Sequence, residues 1–327
     1  MNKIERTILN WRIVKAIANK SKKVILPGFD GVPLYDVGIF FWTEIKKEGL
    51  NERAAAIAYN FIMAVPPTCL FLFTLIPNLP FVPTKTIQAQ LHELIVDIIP
   101  ANQHNANLIS FVDSFFTSSK VGLLSFGFLL LIYFASNGMM GLMRSFNKSS
   151  IGFSKRTELQ SRWMAIRLTF LIMGLLLGCL ILLIMQGNVI AWLGLRNNFL
   201  VVFVSTFRWV FMLALIFFTF AFIYKYAPAV TKRWKLISPG SILGAVSSVV
   251  ATIGFSIFVN NFGRYNALYG SIGTVIVFMV LIYINSLVLL IGYEFNASIH
   301  SLKAMADERA ISEKENEDQL KVAAGTD

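Results

Sequence analysis

Residues 272–293 read IGTVIVFMVLIYINSLVLLIGY, a run without one formal charge, and Glu294 follows at once. A helix climbs about 1.5 Å per residue, so about 20 apolar residues cross a hydrocarbon layer of about 30 Å. The stretch predicts a membrane-spanning helix. Five windows of the same kind lie upstream, at about 54–76, 121–143, 168–191, 200–224 and 237–262, each with at most one or two charges. The fold class expected is all-α: a polytopic membrane protein, a bundle of six transmembrane helices with amphipathic helices at its interfaces.

Composition points the same way. The chain has 327 residues, 56% hydrophobic and 14% charged, and its mean hydropathy is +0.64. Soluble domains carry about 25% charge, so this chain lacks the polar surface of a cytosolic, fibrous or disordered protein. The net charge of +11 suggests nucleic acid until the basic residues are placed. Lys and Arg number ten in residues 1–53, six in 144–167, four in 225–236 and four after 293. The alternate loops hold four together: Lys85, Lys120, Arg196 and Arg264. Loops retained in the cytoplasm keep positive charge, so both termini are expected there. Membrane lipids are the expected partners and nucleic acid is not.

The organisation follows from the same counts. Residues 1–53 form a basic cytoplasmic segment, 54–293 the transmembrane domain with an outer helical loop 77–120, and 294–327 a polar tail that reads as solvated or disordered. Met1-Asn2-Lys3-Ile4-Glu5-Arg6 does not lead into the apolar core of a cleaved signal peptide. Ile4 to Leu26 is basic and suits anionic lipid. In 34–45, Leu34, Val37, Phe41, Trp42 and Ile45 share a helical face, an interfacial pattern. The outer loop repeats it with Ile87, Leu91, Leu94, Ile95 and Ile98, then with Leu108, Val112, Phe115 and Phe116. It reads as a helical cap or as helices packed on the bundle rim.

Polar groups inside hydrocarbon are costly and tend to face a bundle interior. Counted from the basic side, Asn60 and Asn137 are each six residues into their spans and Asn285 eight, roughly 9, 9 and 12 Å deep. Together with Tyr59 they outline a polar layer, either a cavity or a set of interhelical hydrogen bonds worth about 0.6 kcal/mol each. Pro66 and Pro67 deprive the carbonyls of Ile62 and Met63 of their helical partners, so a helix break is expected there. Arg144 ends span two and Glu294 ends span six at one height, which suggests an ion pair. Arg208 lies about 12 Å below the outer end of span four, a candidate for snorkelling or for contact with a lipid headgroup. Gly174-x-x-x-Gly178 and Gly240-x-x-x-Gly244 allow close helix approach.

Catalytic signatures are missing. No P-loop, G-x-S-x-G or H-E-x-x-H run occurs, and of the three His, at 92, 104 and 300, His92 lies on the outer stretch while His300 follows span six on the inner side. The acidic residues are dispersed, which leaves no cluster for a hydrolytic metal. Cys69 and Cys179 sit in apolar runs and read as small buried hydrophobes. No cofactor, metal or catalytic residue is expected.

Four stretches resemble the YihY / virulence factor BrkB family of bacterial six-span inner-membrane proteins. They are Asn51-Glu52-Arg53-Ala54-Ala55-Ala56-Ile57-Ala58-Tyr59 running to Pro66, Asn137 to Arg144, Tyr226-Ala227-Pro228, and Tyr269-Gly270-Ser271-Ile272-Gly273 leading to Gly292-Tyr293-Glu294-Phe295-Asn296. The likeness covers about 34–300, and the Pro66-Pro67 doublet departs from the single proline of that family. It implies a bacterial inner-membrane location. It would also import a ribonuclease BN-like label, which the missing hydrolytic site argues against, and it brings transport of lipid-like molecules into view. The expectation is a transporter or translocase for an anionic amphiphile, driven by a gradient, by nothing, or by a partner. The alternative is a scaffold that anchors an envelope protein partner.

Overall fold

A computed structural model describes residues 20–47, 49–75, 121–147, 152–192, 198–261 and 271–324, with residues 88, 89, 92, 109, 110 and 113 of the outer loop. Side chains are described to Cys179 and again from Val210 through this part of the chain. Seven helices carry the fold: α1 (Leu34–Lys47), α2 (Leu50–Leu75), α3 (Val121–Phe146), α4 (Glu158–Trp192), α5 (Asn198–Tyr226), α6 (Pro239–Asn261) and α7 (Ser271–Ala324). There is no strand among the described residues, only an isolated bridge between Phe153 and Val230. By length and composition, stretches of α2, α3, α4, α6 and α7 can cross a membrane. In α5 the described apolar stretch, Val210–Tyr226, is shorter.

Local chemistry sets the helix ends. Thr157 and Gln160 exchange hydrogen bonds, Gln160 N to Thr157 Oγ1 at 3.4 Å and Thr157 N to Gln160 Oε1 at 3.3 Å, a capping box that starts α4. Ser238 caps α6 and Pro239 occupies its first position, where the missing N–H costs nothing. At the end of α5 the Arg156 guanidinium donates to the carbonyls of Tyr226, Ala227 and Pro228 at 3.2, 3.0 and 2.8 Å. These are acceptors that a helix end leaves without partners.

Helices α2 to α7 form a closed cycle. Each packs on the next in sequence and α7 returns to α2, while α1 lies on α7. The core fills one end of this ring. Ala54 and Ile57 of α2, Leu142 and Phe146 of α3, Leu168 of α4, Tyr224 of α5, Ala245 of α6 and Leu290 and Tyr293 of α7 form one buried cluster, all near the basic ends of their helices. The opposite half differs: residues 210–219 of α5, 249–259 of α6 and 275–285 of α7 include no buried side chain. Their described side chains are partly buried or exposed, with Phe217 and Tyr283 packed on the core, while α2 and α3 still bury Phe71, Thr74 and Leu131 farther from the basic end.

The structure corrects three expectations. Helix α2 runs unbroken through Pro66 and Pro67, and just beyond them Thr68 Oγ1 donates to the Ala64 carbonyl at 2.6 Å. The tail after residue 293 continues α7 to Ala324. It is a long helix with exposed side chains from Ala306 to Asn316, stabilised locally by pairs such as Lys303 to Asp307 at 2.8 Å. The interfacial helix α1 turns Val37 into protein, with Phe41 edge-on to Phe295 at 5.4 Å. It leaves Ile39 and Trp42 outside, Trp42 under the Lys46 ammonium at 5.2 Å. Exposed Trp163 beneath Arg167, also at 5.2 Å, repeats the arrangement on α4. Aromatic rings with cations of this kind sit at headgroup level.

Candidate functional site

Two structures border the packed core. The first is a lock at the basic end. Glu294 is fully buried on α7, and Arg53 of α2 donates to its Oε1 from Nη1 at 2.8 Å. The other arm of the Arg53 guanidinium reaches the Ser145 carbonyl, and the Tyr293 hydroxyl donates to the Phe146 carbonyl, so α2, α3 and α7 are tied at one point. Tyr293 also stacks on Phe146, centroids 4.0 Å apart and planes 2° from parallel.

The neighbouring seam is equally close. An added Cβ at Gly240 would meet the Gly292 carbonyl and Asn296, and one at Gly292 would meet the Gly240 carbonyl at 2.8 Å and Gly244 Cα at 3.0 Å. Glycine here permits backbone approach of α6 to α7, while Gly174 and Gly178 have nothing near them. Tyr224 donates to the Leu289 carbonyl at 2.8 Å. Asn296 completes the seam, accepting from Gly240 N and donating to Ser238 Oγ, both at 2.8 Å. Each residue from Gly292 to Asn296 therefore has a separate contact, Phe295 through its edge-on rings with Phe29 and Phe41.

The second structure is an apolar pocket of about 220 Å³ lying against the core, between α2, α3 and α4. Phe61, Thr68, Leu131, Met139, Thr169 and Ile172 line it. Met139 belongs to the core, while Phe61 and Ile172 pack on it, which makes the core the floor of the pocket. Both lining threonines bond back to their own helices, Thr68 to Ala64 and Thr169 to Ala165. The pocket thus offers no free hydroxyl on this account.

The residues singled out from the sequence are distributed differently. Glu294 meets Arg53, and Arg144 is exposed. Equal depth does not imply facing: Leu142 and Phe146 turn into the core, and Arg144, two residues from each, lies about 200° around the helix. Tyr59 is 60% exposed. Asn60 donates to the Ala56 carbonyl at 2.7 Å and lies against Gly141. Asn137 receives Arg162 Nη1 at 2.5 Å, with that guanidinium 5.7 Å from the Tyr133 ring. Asn285 accepts from Ser248 Oγ at 2.5 Å and donates to the Leu281 carbonyl at 3.0 Å. The three amides thus have different neighbours. Arg208 is on α5, and its side chain lies outside the described residues. Arg53 was visible in the sequence only within Asn51-Glu52-Arg53; its position one turn into a span, opposite the acid that ends another, is the signal that could have found it.

In the 77–120 loop Gln88 and His92 both reach Asp113, at 2.7 and 2.6 Å. The Gln88 amide is the chief cause, with His92 assisting against burial, of an Asp113 carboxyl held below the ordinary range. Among the described residues no group of three or more His, Cys, Asp or Glu could hold a metal.

Relatives align over most of the chain. The ribonuclease-like protein YfkH of Bacillus subtilis is 28% identical over 262 residues, 79% of this chain and 93% of its own length. A UPF0761 membrane protein of Haemophilus influenzae is 24% identical over 277 residues, 83% of this chain and 97% of its own. One from Tolumonas auensis is 23% identical over 274 residues, covering 80% and 84%. No solved structure matches. Most of these relatives are named as membrane proteins and not as enzymes. Residues 41–318 match the model of the virulence factor BrkB family, and the chain belongs to that family.

Proposed function

We propose that the protein is a non-enzymatic translocase for an anionic lipid or similar amphiphile in the bacterial inner membrane, its termini cytoplasmic. The observation that carries this reading is an apolar pocket resting on the packed basic end, beside described stretches of α5, α6 and α7 whose side chains are only partly buried or exposed. Such a pocket suits acyl chains, which need only apolar contact. Arg162 follows the pocket-lining face of α4 toward the basic side, seven residues or about 10 Å from Thr169, where a headgroup of that chain would lie. Arg208 is the proposed contact for a headgroup entering from the outer leaflet. Passage to the cytoplasmic side requires the lock around Arg53 and Glu294 to open. The dispersed acids and the lack of a nucleotide motif support movement without chemistry.

A scaffold is the second reading, supported by the tightly tied basic end, which on its own resembles a rigid anchor. Vesicles separate the two. Purified protein in liposomes should move a fluorescent short-chain phosphatidylglycerol between leaflets faster than protein-free vesicles, and Leu131→Trp, which fills the pocket, should slow it at least tenfold. A rate equal to that of empty vesicles contradicts the translocase.

A further inference from the structure

A second cavity, of about 200 Å³, opens beside the lock, between the turn at residues 28–30, the 232–238 connection and α7. Its wall carries Lys232, Arg233 and Lys235, all exposed, and Trp234 between them. No ion pair ties these three cations among the described residues, although Arg233 also lies 5.6 Å from the Tyr226 ring. Asp30 is the acid in the same wall, and it also faces Lys303. Positive charge is crowded: burial, and after it the charge of Arg233, pulls the Arg156 guanidinium below its ordinary pKa.

The indole is a fixed reporter beside these cations. Trp234 Nε1 is buried and has no hydrogen-bond partner, although a buried N–H is costly to leave unmade. Its ring is fixed against Tyr293 at 5.8 Å and His300 at 6.1 Å, and His300 Nε2 is engaged with the Gly152 carbonyl at 2.9 Å. The amides of Gly240 and Ser241 at the start of α6 are already bonded to Asn296 and Ser238, so the end of that helix is not what the cavity offers. What it offers is three exposed cations around one fixed indole. Its height is set by Pro239, where an apolar membrane-crossing stretch begins, and by Ile237, 69% exposed at the mouth.

We propose that this cavity binds a phosphate group, with Lys232, Arg233 and Lys235 balancing its charge and the neighbouring Trp234 indole reporting its arrival. Phosphate oxygens accept strong charge-assisted hydrogen bonds, and basic pockets at this level of a membrane protein suit phosphorylated headgroups. The same chemistry accepts free phosphate, and the experiment separates the two. The site stands apart from translocation, since a protein that moves no lipid could still bind here.

The test uses the full chain in maltoside micelles with its six tryptophans labelled at the indole nitrogen. The Trp234 signal is assigned by its loss in Trp234→Phe, or by elimination with the other five replaced one at a time. Titration with dihexanoyl phosphatidic acid should move that signal, dihexanoyl glycerol should not, and the affinity should fall at least tenfold in the variant carrying Lys232→Gln, Arg233→Gln and Lys235→Gln. The other five signals report that this variant is folded. Movement with inorganic phosphate but not with the lipid makes free phosphate the ligand. A signal that neither probe moves, or equal binding by the triple variant, overturns the proposal. No leaflet exchange is read, so its failure and that of the translocase are distinct.

Discussion

Glu294 shows how much one residue decides in a membrane protein. Spans gain little from hydrophobicity when they pack, since lipid is as apolar as leucine, so close contact and polar ties hold them together. Removing one partner of a buried ion pair costs about 3–5 kcal/mol because the other charge is left in a poor environment. Glu294→Gln and Arg53→Met should each lower thermal stability in detergent by about that amount, Arg144→Ala should change it by less than about 0.5 kcal/mol, and the exchange Arg53→Glu with Glu294→Arg should recover part of the loss. Rescue by charge exchange at Arg144 instead would assign the pair wrongly. Asn285→Leu should cost only about 1 kcal/mol, since membrane hydrogen bonds average about 0.6 each. In the 77–120 loop, a depressed carboxyl stabilises its contact above its unfolded pKa and loses that effect as pH falls through the folded value. The Asp113 carboxyl should therefore titrate below about 3.9 in a carbon NMR experiment, and Gln88→Leu should raise its midpoint.

Among the elements, the α6 and α7 seam is the most constrained. Gly292→Ala places a methyl against backbone that cannot yield, so it should reduce the folded yield severely, while Gly174→Ala, with open space around it, should leave expression and melting unchanged. The two Gly-x-x-x-Gly runs looked alike in sequence, and only one lies at a tight contact. This marks the limit of what sequence made legible. Runs of about 20 apolar residues disclose membrane helices because hydrocarbon thickness sets their length. Depth can be read by counting, but azimuth cannot: Arg144 and Glu294 share a height and point to different neighbours, and Asn60, Asn137 and Asn285 share a layer while bonding separately. Proline removes one donor per residue, yet α2 continues through two, so the chemistry was legible and the break was not. The charged tail continued as helix because a span already running past residue 293 supplies the nucleus that an isolated tail would have to form.

On the scale of the whole molecule, the ring is asymmetric along the membrane normal. Its basic half is packed and tied, and beyond it lies an apolar pocket between α2, α3 and α4, while the described far stretches of α5, α6 and α7 carry partly buried or exposed side chains. A bundle selected only as an anchor gains nothing from an apolar cup against its core, whereas a path for an amphiphile needs both such a cup and a closable floor. The most direct test is a cryo-electron microscopy map of the full chain in nanodiscs of native lipid. The account predicts elongated acyl-chain density between α2, α3 and α4, ending above Met139, with the far halves of α5, α6 and α7 apart. Side chains filling that space, with the three helices converged, would contradict it.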